Sequence, residues 1–480
     1  MKRFLFCKFI PLAIFFAWTA AAPVPAHSDN LQSGQPTAPL NPSVAAETCS
    51  EASIRCVGAG QEYSTIQAAV NAAVAGDTVL VFDGDYAGFE INKSGQQLSP
   101  ITIKAAASNA VINSPISGMS SKCNGDAGIC LKGNGDLQGV HDIVIEGFKI
   151  RDLYRCISSH DGSPETNSSS EWPHRRITIR GIRCTNAGHE GFYLSEIGDS
   201  LIEGNTISNS GANSQQRGHG IYLANAGSDN TIIRGNVIYD AKSSDSAGIH
   251  FNGDLSVGGD GIISGLLVEN NVIYGGNQNG LNMDGVQDSV IRNNVVHNNA
   301  NHALHAYAID GAAGPRNMRI LNNTFIAPSR SSDWALRFSQ DEGGHVIFNN
   351  ILIKEGSGGG SICVDNANFQ SDYNIVGDRF SRNDEGSTIN LASWRSFGKD
   401  ANSLTATSAQ LFVDPGVGDY HLLSNAPAID RGIASFQGVS APVTDLAGAP
   451  RPQGILPDIG AYESGSDPTR PASPRNLRIR

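Results

Sequence analysis

The chain has 480 residues, with 34 Lys and Arg against 46 Asp and Glu, a formal net charge of −12. That balance, with no basic run carrying interleaved aromatics, excludes a general binder of nucleic acid or anionic membrane. Gly is abundant (54) and Met scarce (4), as many turns around a core of small and β-branched residues require.

Residues 1–26 read as a targeting segment. Lys2, Arg3 and Lys8 precede an apolar stretch from Phe9 to Ala22, and Val24-Pro25-Ala26 is a small-residue cleavage pattern. The stretch is short for a membrane span and Pro11 breaks it, so secretion is expected and no span. Its removal takes three cations and no acids, which brings the net charge to about −15. Residues 27–48, rich in Pro, Ser, Ala, Gln and Asn, are expected to be a flexible lead-in.

Seven of the eight cysteines follow the targeting segment, in a compartment that permits disulfides. Cys49 with Cys56 and Cys123 with Cys130 are expected to form local bridges across small-residue loops. Cys184 falls in an apolar column with Ile150, Ile207 and Ile238, which predicts a buried free thiol. Cys156 and Cys363 stay unassigned. No Cys/His grouping has the short spacing of a zinc site. Next, 64–75 is predicted as one amphipathic helix, with Ser64 as N-cap and Gly76 as its stop.

A phrase then recurs through the middle of the chain: Ile143-Val-Ile-Glu-Gly, Ile177-Thr-Ile-Arg-Gly, Leu201-Ile-Glu-Gly-Asn, Ile232-Ile-Arg-Gly-Asn. It continues as Leu267-Val-Glu-Asn-Asn, Val290-Ile-Arg-Asn-Asn, Arg319-Ile-Leu-Asn-Asn and Val346-Ile-Phe-Asn-Asn. A period of roughly 23 to 35 residues is the signature of a solenoid, in which each short strand buries its apolar face only by stacking on the next coil. No apolar pattern of period 3.6 is long enough for helical repeats. A second strand lies between the phrases: Gly191-Phe-Tyr-Leu, Gly220-Ile-Tyr-Leu, Gly248-Ile-His-Phe, Gly280-Leu-Asn-Met, Ala303-Leu-His-Ala, Ala335-Leu-Arg-Phe. Alternation of period two places Phe192, Ile221, Ile249, Leu281, Leu304 and Leu336 in one internal column. Asn205, Asn236, Asn271, Asn294, Asn323, Asn350 and Asn374 form a column predicted at tight bends, in left-handed backbone and with amides bonded along the axis.

On these repeats the chain resembles the right-handed parallel β-helix proteins of the pectate-lyase-like superfamily. The resemblance implies an all-β solenoid of about ten coils over 49–400, its open end covered by the 64–75 helix. Phe412-Val-Asp-Pro-Gly, Asp419-Tyr-His-Leu-Leu, Thr444-Asp-Leu-Ala-Gly and Pro457-Asp-Ile-Gly-Ala-Tyr-Glu resemble the "choice-of-anchor" module that follows many secreted bacterial β-helices. This sets a C-terminal module at 401–463 and a tail at 464–480.

The alternation that buries the apolar column turns Ser158, Tyr193, Tyr222, His250, Asn282, His305 and Arg337 outward. Two positions on, the same face carries His160, Ser195, Ala224, Asn252, Asp284, Tyr307 and Ser339. Parallel strands stack about 4.8 Å apart, so His250 to His305 spans about 10 Å, the scale of two sugar units. Loops 159–174 (with Trp172), 252–262 and 308–317 are expected to wall a groove, where aromatic faces and polar tips suit sugar rings. Gly218-His219-Gly220 and Asn282-Met283-Asp284 are similar to two motifs of polygalacturonase-type hydrolases. Their order is reversed and no Asp-Asp pair exists, which counts against hydrolysis by paired carboxylates.

The expected activity is that of a secreted enzyme on an acidic polysaccharide, by β-elimination or C5-epimerisation. Both remove the proton beside a neutralised uronate carboxylate, which takes a base, a proton donor and a cationic partner. The base is expected at His250 or His305, because His titrates near neutrality. Arg337 would pair with the carboxylate, and Tyr222 or Tyr307 would return a proton. Tyr193, His219, Asn252, Asn282 and His302 are assigned to substrate binding, and Asp254, Asp284 and Asp310 to a Ca²⁺ bridge. The alternatives are a glycoside hydrolase using Asp254, Asp284, Asp310 and Asp341, and a non-catalytic adhesion solenoid. A monomer is expected, with a polysaccharide as its partner.

Overall fold

The structure is a computed structural model. It describes residues 49–118, 123, 125–133, 139–160, 174–213, 217–225, 227–257, 259–329, 332–383 and 386–465. The targeting segment, the lead-in, Trp172 and most of the tail lie outside the described residues.

Each coil contributes one strand to each of three long sheets, and the sheets hold 12 or 13 strands among the described residues, more than the ten coils expected. Pairing is parallel along nearly the whole of each sheet, and the architecture is a right-handed parallel β-helix. The first sheet starts at Ile54–Val57, the second at Gly84–Ala87 and the third at Phe89–Ile91.

The predicted internal column forms on the third sheet. Phe192, Ile221, Ile249, Leu281, Leu304 and Leu336 pair in unbroken register, and all are fully buried. A slip of one residue would expose all six, so burial enforces this register. The glycine that opens several of these strands is a packing requirement. A Cβ on Gly248 would lie 2.2 Å from Ile273 Cγ2, inside the second sheet's apolar column.

The asparagines at the bend between the first and second sheets form a buried ladder. The Asn236 backbone N–H (3.0 Å) and Nδ2 (2.9 Å) both donate to Asn271 Oδ1, while Asn271 Nδ2 donates to the Ile233 carbonyl (2.9 Å). The pattern runs from Asn205 to Asn374 and ends on Ser403 Oγ. One expectation is corrected: left-handed φ belongs to the preceding residue, Gly204, Gly235, Asn270, Asn293, Asn322 or Asn349. The ladder asparagines turn inward because only there can both ends of the amide reach main chain on two coils.

Both ends of the core are covered. Helix Ile66–Ala72 buries Ile66, Ala69 and Val70 against the first coil. Its N-cap is Thr65, whose side chain accepts from Ala68 N–H, and not Ser64. At the far end the short helix Leu391–Arg395 inserts Trp394, fully buried, against Phe380 (4.7 Å between ring centroids) and Phe369 (5.7 Å).

Parallel pairing continues to Leu404–Thr405. The segment beyond packs on the outer face of the second sheet, where Ile351, Ile353 and Ile375 share an apolar cluster with Leu411, Phe412, Tyr420 and Ile459. Outward-turned asparagines at the bend receive it: Asn293 Nδ2 donates to the Thr444 carbonyl (2.8 Å) and Asn349 Nδ2 to that of Ile433 (2.8 Å). Within this segment Arg451 and Glu463 pair in full burial.

Cys49–Cys56 and Cys123–Cys130 are disulfides, as expected. Cys184 is not a free thiol. It sits in the predicted column beside Ile150 and Ile207, but the neighbouring Cys156 reaches the same interior and bonds to it, with Cα atoms 5.9 Å apart. Cys363 is buried and takes no part in these three disulfides.

Candidate active site

Strands Phe192–Ser195, Ile221–Ala224, Ile249–Asn252, Leu281–Asp284, Leu304–Tyr307 and Trp334–Phe338 of the third sheet carry the outward column. Tyr193, Tyr222, His250, Asn282, His305 and Arg337 follow one another rung by rung. Alongside run Ser195, Ala224, Asn252, Asp284 and Tyr307. The register is the predicted one, but the burial is deeper than an open groove. Asn252, Asp284 and Tyr307 are buried, as are His219 and His302 where they enter their strands.

The ring of His219 lies between main chain and His250. Ala247 N–H donates to His219 Nδ1 (3.0 Å), so the neutral ring carries its proton on Nε2. That Nε2–H faces His250 Nδ1 at 3.1 Å and donates to it, which puts the His250 proton on Nε2 as well. His250 Nε2 is closed off from solvent and has no partner among the described residues; the same holds for Asn252 Oδ1. One donor and one acceptor thus stand two positions apart on one strand, without partners among the described residues. Burial lowers the His219 pKa to about 4 and that of His250 well below 6.5. The expectation of a near-neutral base at His250 is therefore corrected: its ring is held neutral and presents an N–H, because its lone pair already faces His219.

The phenols are set to donate. Asn252 Nδ2 donates to Tyr222 Oη (2.9 Å) and Asn282 Nδ2 to Tyr307 Oη (2.8 Å), so neither bond uses the phenolic hydrogen. Burial raises the Tyr222 pKa to about 12 and raises that of Tyr307 further. Asn279 Nδ2 fixes Asn282 through its Oδ1 (2.7 Å). His305 lies against Tyr307 (4.7 Å between centroids), with Nε2 3.0 Å from Ser339 Oγ, and burial keeps it neutral.

A second imidazole repeats the His219 geometry. Trp334 N–H donates to His302 Nδ1 (2.8 Å), so His302 carries its hydrogen on Nε2, 3.2 Å from Arg337 Nη1. Two donors converge there, an arrangement suited to an anionic acceptor.

The acidic residues behave otherwise. Asp284 accepts three backbone N–H groups, from Ile309 (2.9 Å), Asp310 (2.9 Å) and Gly311 (3.0 Å), and so ties down the 308–317 loop. Asp254 Oδ1 accepts from Ser256 N–H (2.8 Å) and Oγ (2.6 Å). Asp310 is exposed, and its carbonyl accepts from Leu255 N–H. Among the described residues no three His, Cys, Asp or Glu side chains group as a metal ion requires. With Asp284 and Asp254 committed to protein donors, the donor set does not fit the expected calcium bridge. Of the four carboxylates considered for hydrolysis, Asp284 is a loop anchor and Asp341 is buried against His345 (2.7 Å).

The structure adds four residues at the N-terminal end of the column. Arg155 pairs with Asp126 and Glu190, its guanidinium lies 4.6 Å from the Tyr193 ring centroid, and His189 Nδ1 meets Glu190 Oε2. Burial opposes charge on Glu190, but His189 and Arg155 outweigh it and hold the carboxyl at about 2. Glu190 occupies the register position of His219, as the spacing of Gly188-His-Glu-Gly191 against Gly218-His-Gly220 could have indicated.

A comparison of the whole chain with solved structures finds a pectate lyase, Pel9A, at TM-score 0.54 and 15% identity, covering 83% of this chain and 90% of that one. The fold is pectate-lyase-like. An alginate lyase from Paenibacillus sp. str. FPU-7 matches at TM-score 0.44 and 20% identity, over 62% of this chain and 95% of its own. The mannuronan C-5 epimerase AlgE6 A-module of Azotobacter vinelandii matches at 0.40 and 13%, over 71% and 94%. The family model for the periplasmic copper-binding protein NosD matches residues 70–257. Within that stretch Cys123, Cys130, Cys156 and Cys184 are held in disulfides, and no metal-binding group forms among the described residues. A comparison with curated protein sequences gives no match. No described helix is long and apolar enough to cross a membrane.

Proposed function

We propose that this pectate-lyase-like chain is a secreted enzyme acting on a uronate-containing polysaccharide laid along the outward column of the third sheet. The observation that carries the reading is the convergence of polar groups on that face: the His302 and Arg337 donors, the unpartnered His250 Nε2–H, and phenols whose hydrogens are free. A plain solvated strand face has no reason to bury them. The three disulfides suit an oxidising compartment.

In this reading Arg337 and His302 Nε2–H hold the uronate carboxylate, which stabilises the carbanion formed when the neighbouring C–H is broken. Neutral His305 takes that proton. In β-elimination the electron pair forms the C4–C5 double bond, the C4–O bond breaks, and a phenol, Tyr307 or Tyr222, protonates the leaving oxygen. In epimerisation the phenol instead returns a proton to C5 from the opposite face.

The test is a panel of acidic and neutral polysaccharides. Ultraviolet absorbance of an unsaturated product indicates elimination, and deuterium uptake at C5 without cleavage indicates epimerisation. Reducing ends alone would replace this reading with hydrolysis, and no change in any polymer would reject enzymatic action. On a substrate that is turned over, His305→Ala is expected to lower kcat by roughly 10² to 10⁴ while leaving the melting temperature nearly unchanged. Since burial lowers the His305 pKa, the base stays unprotonated through neutral pH, and the acid limb of kcat/KM is expected below 6.5.

A further inference from the structure

A cavity of about 140 Å³ opens at the C-terminal end of the solenoid, on the cap and away from the column. Phe369, Trp394 and Phe397 wall it, with Arg382 and Lys399 at the rim. The two cations are held by rings instead of acids. The Arg382 guanidinium carbon lies 3.7 Å from the centroid of half-exposed Phe397, and Lys399 Nζ lies 4.4 Å from that of Phe369 while donating to the Phe369 carbonyl. Neither has a carboxylate within ion-pair distance among the described residues. The adjacent acid, Asp400, turns inward to Trp394 Nε1 (2.8 Å) and Ser403 Oγ.

Stacking occupies the face of a guanidinium and leaves the N–H groups along its edge available, in the fork that matches a carboxylate. Lys399 uses one hydrogen on the carbonyl and keeps two. Two such cations beside an aromatic wall, in so acidic a chain, select a ligand with one apolar face and one negative charge. A cavity of roughly 150 Å³ admits a single six-membered ring. We propose that this cap cavity binds one ring-sized carboxylate, its ring against Phe397 and its carboxylate between Arg382 and Lys399. The site stands independently of the column and of any turnover there.

Two ligands offer this chemistry, an acidic sugar and an aromatic acid. Full-length protein would be titrated with glucuronate, benzoate and glucose by ligand-observed NMR, alongside Arg382→Gln and Phe397→Ala, both at exposed positions. Binding of glucuronate or benzoate, weakened about tenfold by Arg382→Gln and several-fold by Phe397→Ala, would support the site, and the ligand that binds identifies its source. Three results would overturn it: no binding of either acid, glucose bound as tightly, or binding that both variants leave unchanged.

Discussion

The ring of His219 shows how a single side chain takes its role from main chain on the next coil. Because Ala247 N–H occupies Nδ1, the protons of His219 and His250 are both directed to Nε2. Long-range ¹H–¹⁵N spectra of the imidazoles are expected to show both rings as neutral Nε2–H tautomers down to about pH 6, and a pyrrole-type Nδ1 on His219 would refute the chain of donation. The buried ladder makes a second prediction at this scale. Asn271→Leu removes the acceptor of two Asn236 N–H donors and the donor to the Ile233 carbonyl, all in full burial. It is expected to destabilise the protein by about 3–5 kcal/mol, read from the denaturant midpoint.

At the scale of elements, strands pack closely enough that single methyl groups matter. Gly248→Ala places a Cβ 2.2 Å from Ile273 Cγ2, and the overpacking is expected to cost about 1–3 kcal/mol in thermal or denaturant unfolding. Loops depend on polar anchors instead. Asp284 alone receives three consecutive N–H groups of the 308–317 loop, which in turn pairs with the 252–262 loop through Leu255 N–H and the Asp310 carbonyl. Asp284→Ala is expected to raise hydrogen exchange in both loops while the solenoid strands keep their protection. Unchanged exchange at 309–311 would show that the carboxylate does not hold the loop.

The whole molecule carries several imidazoles buried in the neutral form, and this sets its response to acid. Burial lowers the pKa of His219 to about 4 and that of His297, stacked on Tyr274, to about 3. A histidine freed by unfolding binds its proton near 6.5, so below that pH the unfolded chain takes up protons the folded one refuses. Their contribution is complete above about 6.5 and is lost as pH falls to about 4 for His219 and about 3 for His297. The melting temperature is therefore expected to decline across that interval, and His297→Phe, which keeps the stack without a titratable group, is expected to flatten the decline.

What the sequence determined by itself is whatever follows from local alternation and repetition. Six apolar residues, one at the same alternating position of each successive strand, could face only inward, so the coil architecture, the column from Tyr193 to Arg337 and its register were all legible. Two disulfides closed over seven residues were legible for the same local reason. The tertiary structure decided everything that depends on a neighbouring coil. Cys156 meets Cys184 across a separation of 28 residues, which no spacing rule reveals. His250 changes from an expected base to an N–H donor through His219, 31 positions earlier. Asp284 becomes a loop anchor because the main chain of 309–311 folds back over it. Alternation says which way a side chain points, but its proton, partners and solvent exposure are set by the atoms stacked above and below, and those come from coils distant in the chain.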